Sequence, residues 1–228
     1  MIQTVLFDLD DTLLDFHKAE RAALIRTFNA LGIIADEYAL SRYSVINKAQ
    51  WKLLEKGELT REEVLLRRFE IFCDEFNVSV PASTVEKEYE NNLSVGHYFV
   101  DGAQETIKEL YGKYKLYIVS NGIGRIQKSR IDSAGIEKYF ERIFISQQTG
   151  FVKPQREFFD YCFAAAPEIK KETTIIVGDS LSSDILGGIN AGIRTCLFNP
   201  QGKEKDEKII PDFEIRSLGE LPDLLCKM

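Results

Sequence analysis

Two hydrophobic textures alternate along the chain. Residues 2–7 (IQTVLF) are a short, mainly apolar run that stops at Asp8, as a buried strand does. From about residue 17 to 97 the period becomes helical. Leu24, Phe28 and Leu31 recur at helical spacing, with Gly32 placed as a C-terminal cap. A second helix is predicted from about Asp36 to Lys56, stopped by Gly57. Thr60 and Glu63 have capping-box spacing for a third, whose expected buried stripe is Leu65, Phe69, Phe72 and Phe76. Pro81 to Glu86 opens a fourth, carrying Val85, Tyr89 and Leu93. Four successive helices without a strand predict a small bundle.

After Asp101-Gly102 the short apolar runs return. A helix should close at Gly112 and a strand, KLYIVS, end at Ser120. Another helix closes at Gly135 before the strand RIFIS, which ends near Ser146. A helix over about 155–166 precedes TTIIVGD, a strand ending at Asp179, and a helix ending at Gly192 leads into IRTCLF. Strands alternating with glycine-stopped helices predict an α/β fold, a Rossmann-like parallel sheet wound with helices on both faces. The helical bundle is then an insert placed after the first strand. The expected division is 1–14 with 101–228 as the α/β core, and 15–100 as the insert. Residues 203–208 (KEKDEK) read as a mixed-charge surface loop.

Composition narrows the classes. In 228 residues, 44% are hydrophobic and 29% charged, ordinary values for a globular protein. No apolar run approaches the ~20 residues of a membrane span, and no basic leader precedes the first carboxylates. A net charge of −7 argues against a broad surface for nucleic acid or anionic lipid, while leaving room for a small phosphorylated partner. Cys73, Cys162, Cys196 and Cys226 lie far apart and read as isolated thiols in a reducing compartment. A soluble, cytoplasmic protein is expected.

The chemistry gathers at the predicted strand ends, where ligands bind in open α/β sheets. The first strand delivers Asp8-Leu9-Asp10-Asp11-Thr12 and the second Ser120-Asn121-Gly122. A loop after the third carries Val152-Lys153-Pro154, and the fourth delivers Gly178-Asp179-Ser180, with Asp184 five residues beyond Asp179. Clustered carboxylates repel unless a cation neutralises them, and oxygen donors without His or Cys suit a hard divalent ion, magnesium first. A lysine and a hydroxyl at the same edge are natural partners for phosphate oxygens. The residues alone therefore point to magnesium-dependent phosphoryl transfer.

The sequence DLDDT after an apolar strand, followed in order by VSN, VKP and GDSLSSD, resembles the haloacid dehalogenase superfamily, and the helical insert resembles its first cap type. That resemblance implies Asp8 as a nucleophile that becomes an aspartyl phosphate, and Asp10 as general acid and then general base. It implies magnesium held by Asp8, the carbonyl of Asp10 and Asp179, with Asp184 acting at the metal or through water. Ser120 and the backbone amide of Asn121 would hold phosphate oxygens, and Lys153 would neutralise charge between nucleophile and phosphate.

Three function classes follow. The first is a phosphomonoester phosphatase, with a sugar-phosphate mutase as its near rival. The second is carbon–halogen hydrolysis, against which Asp10 and the Asp179/Asp184 pair argue. The third is a catalytically silent binding protein. The segments DLDDTLLDFHKAE, NKAQW, GDSLSSDILGGINAG and CLFNP are similar to the bacterial pyrimidine nucleotidase branch. That similarity implies a nucleoside monophosphate as the small-molecule partner, with Phe16, Asn47, Trp51 and Arg67 as candidate substrate contacts from the insert. Phosphoglycolate and sugar phosphates remain the alternative substrates.

Overall fold

Strand β1 (Thr4–Phe7) is buried along its whole length because it has a strand on each side and a helical layer above and below. The computed structural model describes residues 1–34, 36–202 and 208–228, so most of the charged loop read at 203–208 lies outside the described residues. Beside β1 run β2 (Lys115–Ser120) and β4 (Thr174–Gly178), with β3 (Arg142–Ile145), β5 (Arg194–Phe198) and β6 (Phe213–Ile215) further out. The sheet order is β3-β2-β1-β4-β5-β6, and every pairing is parallel. The chain winds outward from β1 through β2 to β3, then returns to β4 on the other side. The crevice where winding reverses is where α/β sheets bind ligands. Register sharpens the point, because Phe7 lies opposite both Ile118 and Val177, so the three central strands end within two residues of one another.

Alternation along the strands decides which helices cover which face. Val5, Phe7, Leu116, Ile118, Ile175 and Val177 point to one side, against Ile107 of α5 (Ala103–Leu110), Ile131 of α6 (Gly124–Ala134) and Leu225 of α10 (Leu221–Cys226). Leu6, Tyr117, Val119 and Ile176 point to the other, against Phe158, Phe159 and Cys162 of α8 (Arg156–Ala165) and Ala191 of α9 (Leu186–Ala191). A short helix α7 (Ser146–Thr149) follows β3. The helix expected before Gly192 begins as a five-residue π-turn, Leu181–Ile185, ahead of α9.

The insert folds as α1 (Phe16–Leu31), α2 (Glu37–Glu55), α3 (Arg61–Glu75) and α4 (Ala82–Leu93). Asp36 caps α2, Gly57 beyond its end has φ +73°, and Thr60 with Glu63 forms the expected capping box on α3. The stripe of α3 differs from expectation. Val64, Arg68, Phe69, Phe72 and Cys73 are buried, while Leu65 and Phe76 are only half-buried. Its interior is aromatic: Phe28 stacks on Phe72 at 5.1 Å between centroids, and Tyr43 lies 4.9 Å from Phe69. The described chain falls into two compact units, Met1–Phe16 with His97–Met228, and His17–Gly96. Among the described residues, no helix is long and apolar enough to cross a membrane.

Candidate active site

Asp8 is the first residue beyond β1, and its carboxylate is buried. The chain then turns back on itself: Leu13 and Leu14 donate their amides to the Leu9 carbonyl, and Asp11 takes φ +58°. Aspartate tolerates that left-handed conformation, and its Oδ1 accepts the amide of Phe16 at 2.8 Å. The turn lets Thr12 reach both neighbouring strand ends. Its hydroxyl donates to Asp8 Oδ2 (3.3 Å) and accepts the amide of Asp179 (3.1 Å).

Lys153 is also buried, and its ammonium uses all three donors. They go to Asp8 Oδ1 (2.7 Å), Asp184 Oδ1 (2.6 Å) and the Val119 carbonyl (2.7 Å). Its backbone is fixed by Asn121, whose side chain accepts the Lys153 amide (2.8 Å) and donates to the Lys153 carbonyl (2.9 Å). Asp184 reaches this point by crossing the end of β4, where its Oδ2 accepts the Ser180 amide at 3.1 Å. A side chain at Gly178 would overlap the Asp184 carboxylate, so this position requires glycine.

Carboxylate oxygens of Asp8, Asp179 and Asp184 all lie within 4.8 Å of one another. Burial pushes the Asp8 carboxyl up to about 8, with Asp184 and Asp10 acting in the same direction and Lys153 opposing them. Burial works against the charge on Lys153, but Asp184 and Asp8 outweigh it and hold the ammonium above its ordinary range. Three carboxylates facing one lysine leave an excess of negative charge in a buried space. A hard divalent cation with oxygen ligands relieves that excess, and the donor set fits one.

Ser120, at the end of β2, is buried, and its Oγ accepts from the Gly122 amide (3.2 Å) and from Gln127 Nε2 (2.9 Å). The same Gln127 nitrogen donates to Asp10 Oδ2 at 2.6 Å, and Arg130 pairs with Asp10 Oδ1. The guanidinium of Arg130 lies 5.8 Å from the ring centroid of Phe16. Gln127 and Arg130 escape a reading of the sequence. Their one signal is that two polar residues three apart occupy the face of α6 that Ile126 and Ile131 bury.

The structure thus brings Asp8, Asp10, Ser120, Asn121, Lys153, Asp179 and Asp184 together at one edge of the sheet. Of the insert candidates, Phe16 is half-buried in the α/β unit, and the other three belong to the bundle. Asn47 is buried, with its amide donating to Glu20 Oε1 (2.7 Å) and accepting from Arg68 Nη1 (3.0 Å). Trp51 is half-buried, and Arg67 is exposed on α3, next to the arginine that the bundle encloses.

Residues 5–198 match the haloacid dehalogenase-like hydrolase family. The HAD-hydrolase YfnB of Bacillus subtilis is 40% identical over 223 residues, covering 98% of this chain and 95% of that protein. Its crystal structure, described as bound to magnesium, superposes with a TM-score of 0.94 over 98% of each chain. The pyrimidine 5′-nucleotidase PynA of Streptococcus pneumoniae is 36% identical, over 98% of this chain and 94% of its own. The pyrimidine 5′-nucleotidase YjjG of Escherichia coli is 31% identical, over 98% and 97% respectively. Matched across its strand ends and nearly its whole length, the chain belongs to the haloacid dehalogenase-like hydrolases.

Proposed function

We propose that the protein is a magnesium-dependent phosphomonoester hydrolase acting on nucleoside 5′-monophosphates, pyrimidine nucleotides first. The observation that carries the reaction class is the buried Asp8 carboxylate, tied to Lys153 and set within 4.8 Å of Asp179 and Asp184. An Asp8 oxygen attacks phosphorus, the ester P–O bond breaks, and the leaving alkoxide takes a proton from Asp10. Asp10 then accepts a proton from water as that water attacks the aspartyl phosphate, releasing phosphate and restoring Asp8. Ser120 and the Asn121 backbone amide hold the phosphate oxygens, and Lys153 offsets charge on the equatorial ones.

Asp8, the Asp10 carbonyl and Asp179 would hold the magnesium ion, with Asp184 at its flank. Bound there, the ion would neutralise the carboxylate cluster and polarise the phosphoryl oxygens. A magnesium-bound structure of a 40%-identical relative supports this choice of metal.

The nucleotide reading draws on two relatives named as pyrimidine 5′-nucleotidases. The helical unit serves as the cap that selects the leaving group. Phe16 and Trp51 supply aromatic faces for a base, and Asn47 and Arg67 supply polar contacts. Asn47 would use the capacity that Glu20 and Arg68 leave on its amide. Comparing kcat/KM for dUMP, dTMP, UMP and AMP with that for phosphoglycolate and hexose phosphates tests the substrate class. A non-nucleotide ester leading by tenfold, about 1.4 kcal/mol of transition-state preference, would overturn it. Full activity after exhaustive EDTA treatment would overturn the metal-dependent mechanism.

A further inference from the structure

We propose that Gln127 and Arg130 are positioning residues that fix the Asp10 carboxylate in register with the bound phosphate. The inference rests on the phosphomonoesterase reading, in which Asp10 protonates the leaving alkoxide. Asp10 sits on a turn with its side chain 29% exposed, so the turn alone leaves the carboxylate free to rotate. Two donors from one face of α6 remove that freedom, one on each oxygen: Gln127 Nε2 on Oδ2 at 2.6 Å, and Arg130 on Oδ1.

Both donors are themselves held. Gln127 and Arg130 are 2% and 0% exposed, and Gln127 Oε1 accepts from the same Arg130 nitrogen at 2.9 Å, which sets the amide's orientation. Gly122 packs so closely on the Gln127 side chain that any Cβ there would overlap it. The Gln127 amide has two hydrogens, and the second goes to Ser120 Oγ at 2.9 Å. One buried side chain therefore ties the residue that delivers the proton to the residue that holds the phosphate. Misplacing a reacting group by ~1 Å costs about a hundredfold in rate.

The test uses two esters that differ in their need for the acid. A nucleoside 5′-monophosphate expels an alkoxide, whereas p-nitrophenyl phosphate expels an anion that needs no proton. Gln127→Leu should lower kcat/KM for the nucleotide by about 10- to 100-fold. It should leave kcat/KM for the p-nitrophenyl ester, which reports only formation of the aspartyl phosphate, within about threefold, since Ser120 keeps the Gly122 amide. In an Asp10→Asn background the same change should cause no further loss, because its effect runs through Asp10. Arg130→Lys, which keeps the cation, should retain more nucleotide activity than Arg130→Met. Gln127→Met preserves length and packing, and carries the test if Gln127→Leu does not fold. Equal losses on both esters, or losses additive with Asp10→Asn, would overturn the proposal while leaving the phosphatase reading intact. A wild-type protein inactive on both esters with magnesium present would remove that reading and the proposal with it.

Discussion

Each unit of this chain buries a polar network, and the two networks balance their charges differently. At the strand ends, Asp8, Asp179 and Asp184 crowd around Lys153, and Asp10 faces Arg130. In the bundle, Glu20 and Arg68 are bridged by Asn47, Ser44 donates to Glu20, and Arg68 lies over the rings of Phe69 and Tyr89 at 5.1 and 5.2 Å. The bundle network bridges a buried carboxylate and a buried guanidinium through one amide, among aromatic side chains, with no surplus of like charge. The strand-end network carries surplus carboxylate at the crevice where the sheet's winding reverses. Surplus charge in a buried place needs something from outside, so the strand-end network reads as the reacting site, while the bundle network holds its helices and leaves only spare capacity on Asn47 for a ligand.

The largest expected effect lies in the strand-end network. Asp8→Asn should reduce turnover to background and abolish trapping of radiolabelled phosphate on the folded protein. It should also change stability in a direction that separates the two networks. Metal-free, the folded protein keeps a proton on Asp8 up to about pH 8, whereas the unfolded chain loses it near 3.8. Between those values the folded state holds the extra proton, so this group's contribution to stability falls as pH rises. Above about pH 8 it is flat. In EDTA, the stability of wild type relative to Asp8→Asn should decline across that window, and parallel curves from urea titrations would contradict it. Next in size, Asp10→Asn should slow turnover by about 10²–10⁴-fold, the scale of a lost general acid–base group. A near-normal rate on alkyl esters would show that another residue carries the proton.

The bundle network should respond in stability rather than chemistry. Arg68→Met removes one of the two cations that act on buried Glu20, leaving His17, and strips Asn47 of a donor, and should cost about 3 kcal/mol. Glu20→Gln together with Arg68→Met should recover much of that, since buried opposite charges can be replaced by neutral groups of similar size. Burial already holds the Glu20 carboxyl above its ordinary range, against Ser44, Asn47, His17 and Arg68, so neutralising it is the easier change. Calorimetry of the two single variants and the double variant checks this. Purely additive losses would mean that the network is not a coupled unit.

What the sequence made legible divides along the same line. An apolar run ending at a polar residue marks a strand end, and parallel topology brings such ends together, so the sequence alone collects Asp8, Ser120 and Asp179, with Lys153 from the loop after the third strand. Buried polar residues on helices resist that reading, because a periodicity argument assigns charged positions to solvent. Arg68, three residues after Leu65 and four before Phe72, lies beside the apolar stripe of α3 while Arg67 lies on the opposite side, yet the charge of Arg68 argues for solvent; the structure buries it. Gln127 and Arg130 are hidden for the same reason. Strand β6 is a different case: three residues at the sheet edge, with Phe213 and Glu214 only half-buried, give too short an alternation to see.

The smallest expected effect joins the two units in function. If the bundle selects the leaving group, Trp51→Ala should weaken nucleotide hydrolysis by the value of one stacked base, about 1–3 kcal/mol, and should spare a small ester that has no base to stack. The measurement is the ratio of kcat/KM for dUMP to that for phosphoglycolate, because a general loss of folding or metal binding lowers both and cancels. Trp51 suits the test because it is half-buried on α2, one turn beyond Asn47, so its ring is anchored by the helix yet keeps an accessible surface. Arg67→Ala provides the contrast: it is exposed on a different helix, and a substrate contact there would shift the same ratio. A shift with Trp51→Ala alone assigns the base to the α2 side of the bundle, and a shift with Arg67→Ala alone assigns it to α3. An unchanged ratio in both variants would show that the bundle's role in selection does not run through these residues. The strand-end chemistry would be untouched by that result, since it rests on Asp8, Lys153, Asp184 and Thr12 binding one another and their own strand ends.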